Sequence, residues 1–246
     1  MPKTSSKHSE LEKDDKYDIT KKYLSGEYYY ECFWVDDLMP CGDVKTKIDL
    51  LFIFESPHCT EIDKKIPVCG NTGENVIKAL GEYASKSLGE FVKEKIDEGK
   101  YNIAIMNVCN VPLQKINNKN NTDKVDFEKL KIRRNAKAKK NIKDEYDIII
   151  LELFSMKLNK YIKAKQIDLK NTVIILCGRF AERFFCAWKI KKCCEGFNDI
   201  ICLPHPAPHV VKNIWKEIDE YSNCWFRLKS LFKEKTSMEK GLETSH

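Results

Sequence analysis

Short apolar runs recur along the chain from residue 49 onward, and polar segments separate them. Five runs stand out, most of them rich in β-branched side chains: DLLFIF, YNIAIMNV, YDIIILELF, TVIILC and DIICL. Their apolar residues are continuous rather than alternating with polar ones, which is typical of strands buried on both faces of a parallel sheet. The intervening segments have helical spacing, and helices are predicted over about 74–98, 126–143, 155–165, 179–190 and 211–233. Strands that alternate with helices predict an α/β fold, a three-layer α/β/α sandwich around a central, mainly parallel sheet of four to five strands.

The chain has 246 residues, a length that one α/β domain can fill. The longest polar stretch, 115–122, is too short and too far from the middle to link two cores of similar size. Residues 1–18 are polar and have no hydrophobic period. We therefore predict a disordered arm over 1–18, a single domain over 19–236 and a disordered tail over 237–246.

Neither a membrane span nor a secretory signal is predicted. No window approaches the ~20 consecutive apolar residues of a membrane span, and the first residues, MPKTSSKHSELEKDD, have no apolar region. We therefore expect a cytoplasmic protein that does not contact a membrane, and we expect it to be a monomer.

The positive charge of the chain is concentrated in one segment. The chain as a whole has a net charge of +6, but residues 115–143 hold 11 basic and three acidic side chains, a surplus of +8. All other residues together therefore carry −2. Such a segment is either a surface that binds a polyanion or a solvated helix with a basic face, and charge alone leaves both interpretations open.

Candidate chemistry follows the predicted strands, because open parallel sheets form their sites beyond the carboxyl ends of the strands. DLLFIF is followed by Glu55-Ser56-Pro57-His58, by Glu61, and then by the loop PVCGNTG over 67–73, which leads into a helix. The glycines and threonine of this loop suit a backbone that approaches an anion at a helix N-terminus. It is not a P-loop, because no Gly-Lys-Ser/Thr follows.

Two further strands end in residues with chemical potential. Asn107 follows YNIAIM, and its amide offers a donor and an acceptor, as reading a base edge requires, although an Asn at a strand end is more often a cap or turn residue. Pro204-His205-Pro206-Ala207-Pro208-His209 follows DIICL. Three prolines within five residues make a rigid loop that holds His205 at the end of the sheet.

These three elements, in this order and each at the end of a predicted strand, resemble the uracil-DNA glycosylase superfamily over about residues 50–215. The first is most similar to the G-E-x-P-G…E…P-F-V-G-x-x-G pattern of the fourth family, with Glu55 in the acidic position and Gly70 and Gly73 as the later glycines. The remaining matches are Asn107 with the base-reading Asn, His205-Pro206-Ala207-Pro208 with the H-P-S-P motif, and Cys177-Gly178-Arg179 with a strand-Leu-Gly turn.

The resemblance implies a monofunctional DNA glycosylase, which hydrolyses the bond between base and sugar and leaves an abasic site. His205 would stabilise the leaving base as an anion, and Glu55 would position or deprotonate the attacking water. The side chains expected to contact the base are Asn107, Val68, His58 and Ser56. No Lys is expected to act as a covalent nucleophile.

The implied partner is single- or double-stranded DNA that contains an altered base, which must be flipped out of the helix. His209, after the H-P-x-P motif, is either the wedge that fills the resulting gap or an exposed loop residue. The other predicted DNA contacts are Ser56, Pro57, Gly70, Asn71, Thr72, Gly73, Pro206, Ala207 and Pro208, with Arg133, Arg134 and Lys137 of the basic segment adding salt-dependent affinity.

The chain departs from the fourth-family pattern in three places. Val68 stands where relatives have a Phe that stacks on uracil, and Phe54 and His58 stand where they have Gly. These changes suggest a pocket reshaped for a base larger than uracil. The eleven cysteines lack the spacing of the family's iron–sulfur cluster, so we expect neither a cluster nor another metal or cofactor. The group formed by Cys186, Cys193, Cys194 and Cys202 is interpreted as core thiols, with a metal site as the alternative.

Several functions compete with excision of uracil or a modified pyrimidine. One is a glycosylase dedicated to bulky modified bases, for example in phage DNA, where it would serve in defence. Another is a catalytically silent DNA-binding relative, although Glu55, Asn107 and His205 argue against it. A third is a small-molecule nucleotide hydrolase, which would not need the basic segment.

Overall fold

The computed structural model describes residues 33–40, 47–81, 86–99, 103–113, 142, 145–192, 197, 199–206 and 219–237. The strands are β1 (Leu50–Phe54), β2 (Ile103–Asn107), β3 (Val173–Cys177) and β4 (Ile200–Leu203). The helices are α1 (Cys59–Lys64), α2 (Asn71–Leu80), α3 (Leu88–Asp97), α4 (Glu145–Lys163), α5 (Arg179–Lys192) and α6 (Asp219–Ser237). Strands and helices therefore alternate along much of the described chain.

The four strands form one parallel sheet in the order β2-β1-β3-β4. Strand β1 lies in the middle and is buried at all five positions, as are β2 and β3. Burial on both faces explains why these strands have continuous apolar sequences. The predicted α/β sandwich with a parallel sheet is confirmed.

Two apolar clusters form the core, one on each face of the sheet. Alternate residues of β1 belong to different clusters: Leu51 and Ile53 pack with residues of α4 and α5, whereas Leu50, Phe52 and Phe54 pack with residues of α2, α3 and α6. This division follows from the period of two in a strand. The sheet is therefore the middle of three layers, with helices on both faces. The edge formed by the carboxyl ends of its strands lies between the two helical layers.

One predicted strand is wrong. The run YDIIILELF belongs to helix α4, which continues through residue 163. Ile150, Phe154 and Leu158 are buried at intervals of four, while Ile148 and Glu152 are exposed. A continuous apolar run of this length does not distinguish a strand from a buried helix, and here the helical period of the residues that follow decides.

The predicted helix 74–98 consists of two helices. Helix α2 ends at Leu80 and is capped by Gly81, whose φ of +86° is a conformation that favours glycine. Helix α3 begins with a capping box, in which the Ser87 side chain accepts from the Glu90 N–H and the Glu90 carboxylate accepts from the Ser87 N–H. The predicted helix 179–190 is confirmed as α5, whereas that at 126–143 lies outside the described residues, except for Ile142.

The described residues include almost none of the predicted arm and tail. The predicted arm over 1–18 lies outside the described residues, as does the predicted tail apart from Ser237, the last residue of α6. Within the described ranges, no helix has both the length and the apolar character needed to cross a membrane.

Candidate active site

The carboxyl ends of the four parallel strands meet at one edge of the sheet. Glu55 follows β1, Asn107 ends β2, Gly178 follows β3, and Pro204-His205-Pro206 follows β4. Phe54, the last residue of β1, pairs with Asn107, the last residue of β2. Glu55 is therefore the first residue beyond this pair. Adjacent strands lie about 4.8 Å apart. The predicted carboxylate, amide and imidazole therefore all lie along this edge, the first two on adjacent strands and the third beyond β4.

Asn107 has the most unusual environment of these residues. Its side chain is fully buried, and neither its Nδ2 nor its Oδ1 has a hydrogen-bond partner. A buried polar atom without a partner typically costs about 1–3 kcal/mol. Native structures retain such atoms where a ligand or water completes the hydrogen bonds. The amide therefore keeps unused capacity for one donor and one acceptor bond, which a ligand or water could complete, and a cap or turn role for this side chain is not observed.

Glu55 is buried beside Asn107, and the two strand-end loops are bonded to each other. The backbone O of Phe54 accepts from the Val108 N–H at 2.9 Å, and that of Glu55 accepts from the Cys109 N–H at 3.0 Å. Burial raises the pKa of the Cys109 thiol to about 11, and the charge of Glu55 contributes to this shift. The carboxylate thus lies in a largely dehydrated environment next to a neutral thiol.

The loop after Glu55 carries several predicted contacts. The Ser56 hydroxyl accepts from the Leu113 N–H at 3.3 Å and thereby joins this loop to the one that follows β2. Pro57 is buried, whereas His58 is exposed at the position before α1. Of these residues, His58 is the one whose side chain reaches the solvent most fully.

Val68 adopts a strained backbone conformation, with φ +57°. Its side chain is buried and packs in the same cluster as Phe54. The structure thus places Val68 in the core layer beside the site. Two glycines allow helices α2 and α3 to approach it: a Cβ on Gly73 would lie 1.8 Å from the Val68 carbonyl O, and one on Gly89 would lie 1.9 Å from the Pro67 carbonyl O. Gly73 is therefore required for packing.

The first turn of α2 has free capacity for hydrogen bonding. Gly70 is its N-cap residue, and no side chain caps the helix there. Asn71 is exposed and Thr72 is partly buried. The predicted helix is present, but it begins at Asn71 rather than at about 74, so Asn71, Thr72 and Gly73 of the predicted loop are helical. Their contact with a phosphate stays a prediction.

Sequence reasoning gave no role to Glu61, a residue of α1 whose carboxyl group contacts the backbone of the segment from His58 to Val68. Its carboxylate is 6% exposed and accepts hydrogen bonds from the backbone N–H groups of Val68 and His58, while Oε2 has no partner. Burial raises its pKa from 4.5 to about 7. Glu61 therefore ties together both ends of the loop that carries the predicted base contacts. No signal in the sequence indicated this burial, because Glu61 stands among polar residues such as Thr60 and Asp63.

His205 is held against the end of β3. A Cβ on Gly178 would lie 3.1 Å from the His205 Cβ and 3.3 Å from its Cα. Gly178 has φ +101°, and its N–H donates to the Leu203 carbonyl O at 2.7 Å. Close packing on a residue without a side chain thus brings His205 from β4 towards the middle of the edge. Its side chain is exposed, and the following Pro206 is buried.

Several predicted DNA contacts fall outside the described residues. Ala207, Pro208 and His209 lie outside the described residues, and so do Arg133, Arg134 and Lys137 of the basic segment. The wedge role of His209 and the role of the basic segment stay predictions.

The cysteines of the described residues are free thiols. Burial raises the pKa of Cys202 to about 12 and that of Cys177 further, so both thiols are protonated at neutral pH. Cys186 is exposed, so the prediction of core thiols is wrong for this residue, and Cys193 and Cys194 lie outside the described residues. In the part of the chain that the structure describes, no three His, Cys, Asp or Glu side chains are grouped so that they could hold a metal ion.

Comparison with known proteins gives no independent assignment, because no protein-family model and no curated protein matches the chain.

Proposed function

We propose that the protein is a monofunctional DNA glycosylase, which hydrolyses the glycosidic bond of uracil or of a modified pyrimidine and leaves an abasic site. The observation that carries this proposal is the Asn107 amide, buried and without partners at the strand edge that also carries Glu55 and His205. A pyrimidine edge presents neighbouring donors and acceptors, which an amide can match. The motifs that resemble the uracil-DNA glycosylase superfamily agree with this function.

In the proposed mechanism, Asn107 binds the flipped base and orients it. His205 donates a hydrogen bond to the pyrimidine O2, where negative charge develops as the bond to the sugar breaks. Glu55 accepts a proton from the attacking water, and its negative charge stabilises the cationic sugar. The water oxygen bonds to the sugar carbon, and the base leaves with the electron pair of the broken bond.

Contacts between the loops that carry these groups support the proposal. The loops after β1 and β2 are bonded to each other through the backbone and through Ser56, and the Gly178 contact holds His205. Catalytic groups held within about 0.5 Å of their working positions are more effective than mobile ones. The exposed start of α2 would contact a phosphate next to the flipped nucleotide, and the basic segment would contribute salt-dependent affinity.

The choice of base is inferred from Val68 and His58. Val68 provides no aromatic surface for stacking, and His58 is exposed on the same loop. These two residues favour a base with an added substituent, towards which the His58 imidazole would point a donor. A glycosylase dedicated to bulky modified bases is therefore the second candidate function.

The test uses oligonucleotides that each carry one altered base, in single and double strands, followed by hot alkali to reveal abasic sites. We expect cleavage with at least one base. Glu55→Gln and His205→Ala should each lower the single-turnover rate by roughly 100-fold or more, while DNA affinity changes little. Glu152→Gln, an exposed carboxylate on α4, is the control and should retain the wild-type rate.

Two outcomes would contradict the proposal. Either no altered base yields an alkali-labile site in any context, or both site variants retain full activity. Excision of plain uracil together with failure on every modified base would exclude only the second candidate function.

A further inference from the structure

A buried polar cluster lies beside the candidate site and is not part of the proposed chemistry. It consists of Asp37, Asn110 and Lys157. The segment that carries Asp37 runs along the outer edge of β2, where Leu38 and Ile105 exchange backbone hydrogen bonds of 2.9 and 2.8 Å. Lys157 reaches the cluster from helix α4 on one face of the sheet.

Every proton of the Lys157 ammonium has an acceptor. It forms an ion pair with the Asp37 carboxylate at 3.0 Å, and it donates to the Asn110 Oδ1 and to the backbone O of Asn107. An ammonium has three donors, so this set is complete. The side chains of Lys157 and Asp37 are only 17% and 5% exposed. A buried ion pair is a weak source of stability, because desolvation offsets much of the attraction, so another role is favoured.

The cluster holds both backbone groups of Asn107. The Asn107 N–H donates to the Asp37 Oδ1 at 3.0 Å, and the Asn107 carbonyl accepts from Lys157. Asn107 is the last residue of β2, an edge strand of the described sheet, so its outward backbone groups depend on these side chains for hydrogen bonds. The backbone is therefore held by the cluster, while the amide side chain has no protein partner.

We propose that Lys157 is a positioning residue, which together with Asp37 fixes the backbone of Asn107 so that its amide meets a bound base in one orientation. The inference rests on the proposed function for its catalytic consequence. Lys157 does not touch the base, and it acts only through Asn107. Its loss lets the end of β2 move and misplaces the amide.

The first test is a double-mutant cycle on the base that the wild-type protein excises fastest. Lys157→Met should lower the single-turnover rate roughly 30-fold in the wild-type background and less than threefold in an Asn107→Ala background. Lys163→Met, an exposed lysine in the last turn of the same helix, is the matched control and should have no effect. An equal loss in both backgrounds would overturn the proposal, because it would indicate a general structural role.

A second measurement does not depend on catalysis. We expect the Asn107 backbone N–H to exchange with solvent at least about tenfold faster in Lys157→Met, with no change at Ile175 in β3. Lys157→Met leaves the Asp37 carboxylate buried without its partner, which could prevent folding. In that case the double variant Asp37→Asn with Lys157→Met, which has no buried charge, takes its place, and the same increase in exchange at Asn107 is expected. Unchanged exchange at Asn107 would overturn the positioning role. If the wild-type protein excises no base, the proposed function fails, and the exchange result still decides whether Lys157 holds Asn107.

Discussion

Gly178 provides a sharp test of how His205 is held. Replacement by Ala would place a Cβ 3.1 Å from the His205 Cβ and 3.4 Å from its backbone N. Ordinary contacts between such atoms begin near 3.4 Å, so His205 must move by a few tenths of an ångström. The φ of +101° at Gly178 is also unfavourable for Ala, at a cost of about 1–3 kcal/mol. The Gly178→Ala variant therefore changes both stability and the position of a proposed catalytic group.

Gly99→Ala separates these two effects. Gly99 also has a positive φ, +67°, but a Cβ there would contact nothing within 4 Å. It should lose about 1 kcal/mol of stability without loss of activity. For Gly178→Ala we expect a single-turnover rate roughly 10- to 100-fold below wild type, because small misplacements of catalytic groups are costly. Urea unfolding measures stability, and excision of the altered base measures activity. If Gly178→Ala is destabilised but retains activity within twofold of wild type, the contact with His205 does not matter for catalysis.

Two further predictions concern buried charges away from the reacting atoms. Burial raises the pKa of Glu61 from 4.5 to about 7. Between these pH values the folded state keeps a proton that the unfolded state has released. The free energy of unfolding therefore falls with rising pH, by up to roughly 3 kcal/mol. Glu61→Gln should remove this dependence in urea titrations at pH 4.5 to 8, and an unchanged pH dependence would contradict the assignment. Arg183→Ala leaves the buried Asp147 without its ion-pair partner and should cost about 3–5 kcal/mol. Lys191→Ala breaks the exposed pair with Glu152 between the same helices and should cost at most about 1 kcal/mol, so equal losses in urea unfolding would contradict this account.

The pattern of apolar runs was sufficient to predict the sheet, because residues buried on both faces leave a continuous signal in the sequence. It misassigned YDIIILELF as a strand. The helical spacing of buried residues becomes visible only when Leu158, beyond the end of the run, is considered together with Phe154. The rule that sites follow parallel strands predicted which residues share one edge. The same rule could not have predicted Lys157 and Asp37, which are 50 and 70 positions from Asn107 and meet it only because α4 and the 33–40 segment pack on the edge strand.

Several departures from ordinary backbone and polar-group behaviour occur at this edge of the molecule. Val68 and Gly178 have positive φ, the Asn107 amide has no partner, and the Glu61 carboxyl is buried with one oxygen unpaired. Others lie elsewhere, such as the positive φ of Lys165 and the unpaired Asp147 Oδ1, so the site is distinguished by combining both kinds of departure with the candidate carboxylate and imidazole. Strain and unpaired polar groups each cost about 1–3 kcal/mol, and proteins retain them mainly where function requires them. Lys157 and Asp37 then have a clear physical purpose, because an amide without partners keeps one orientation only if its backbone is held from the other side.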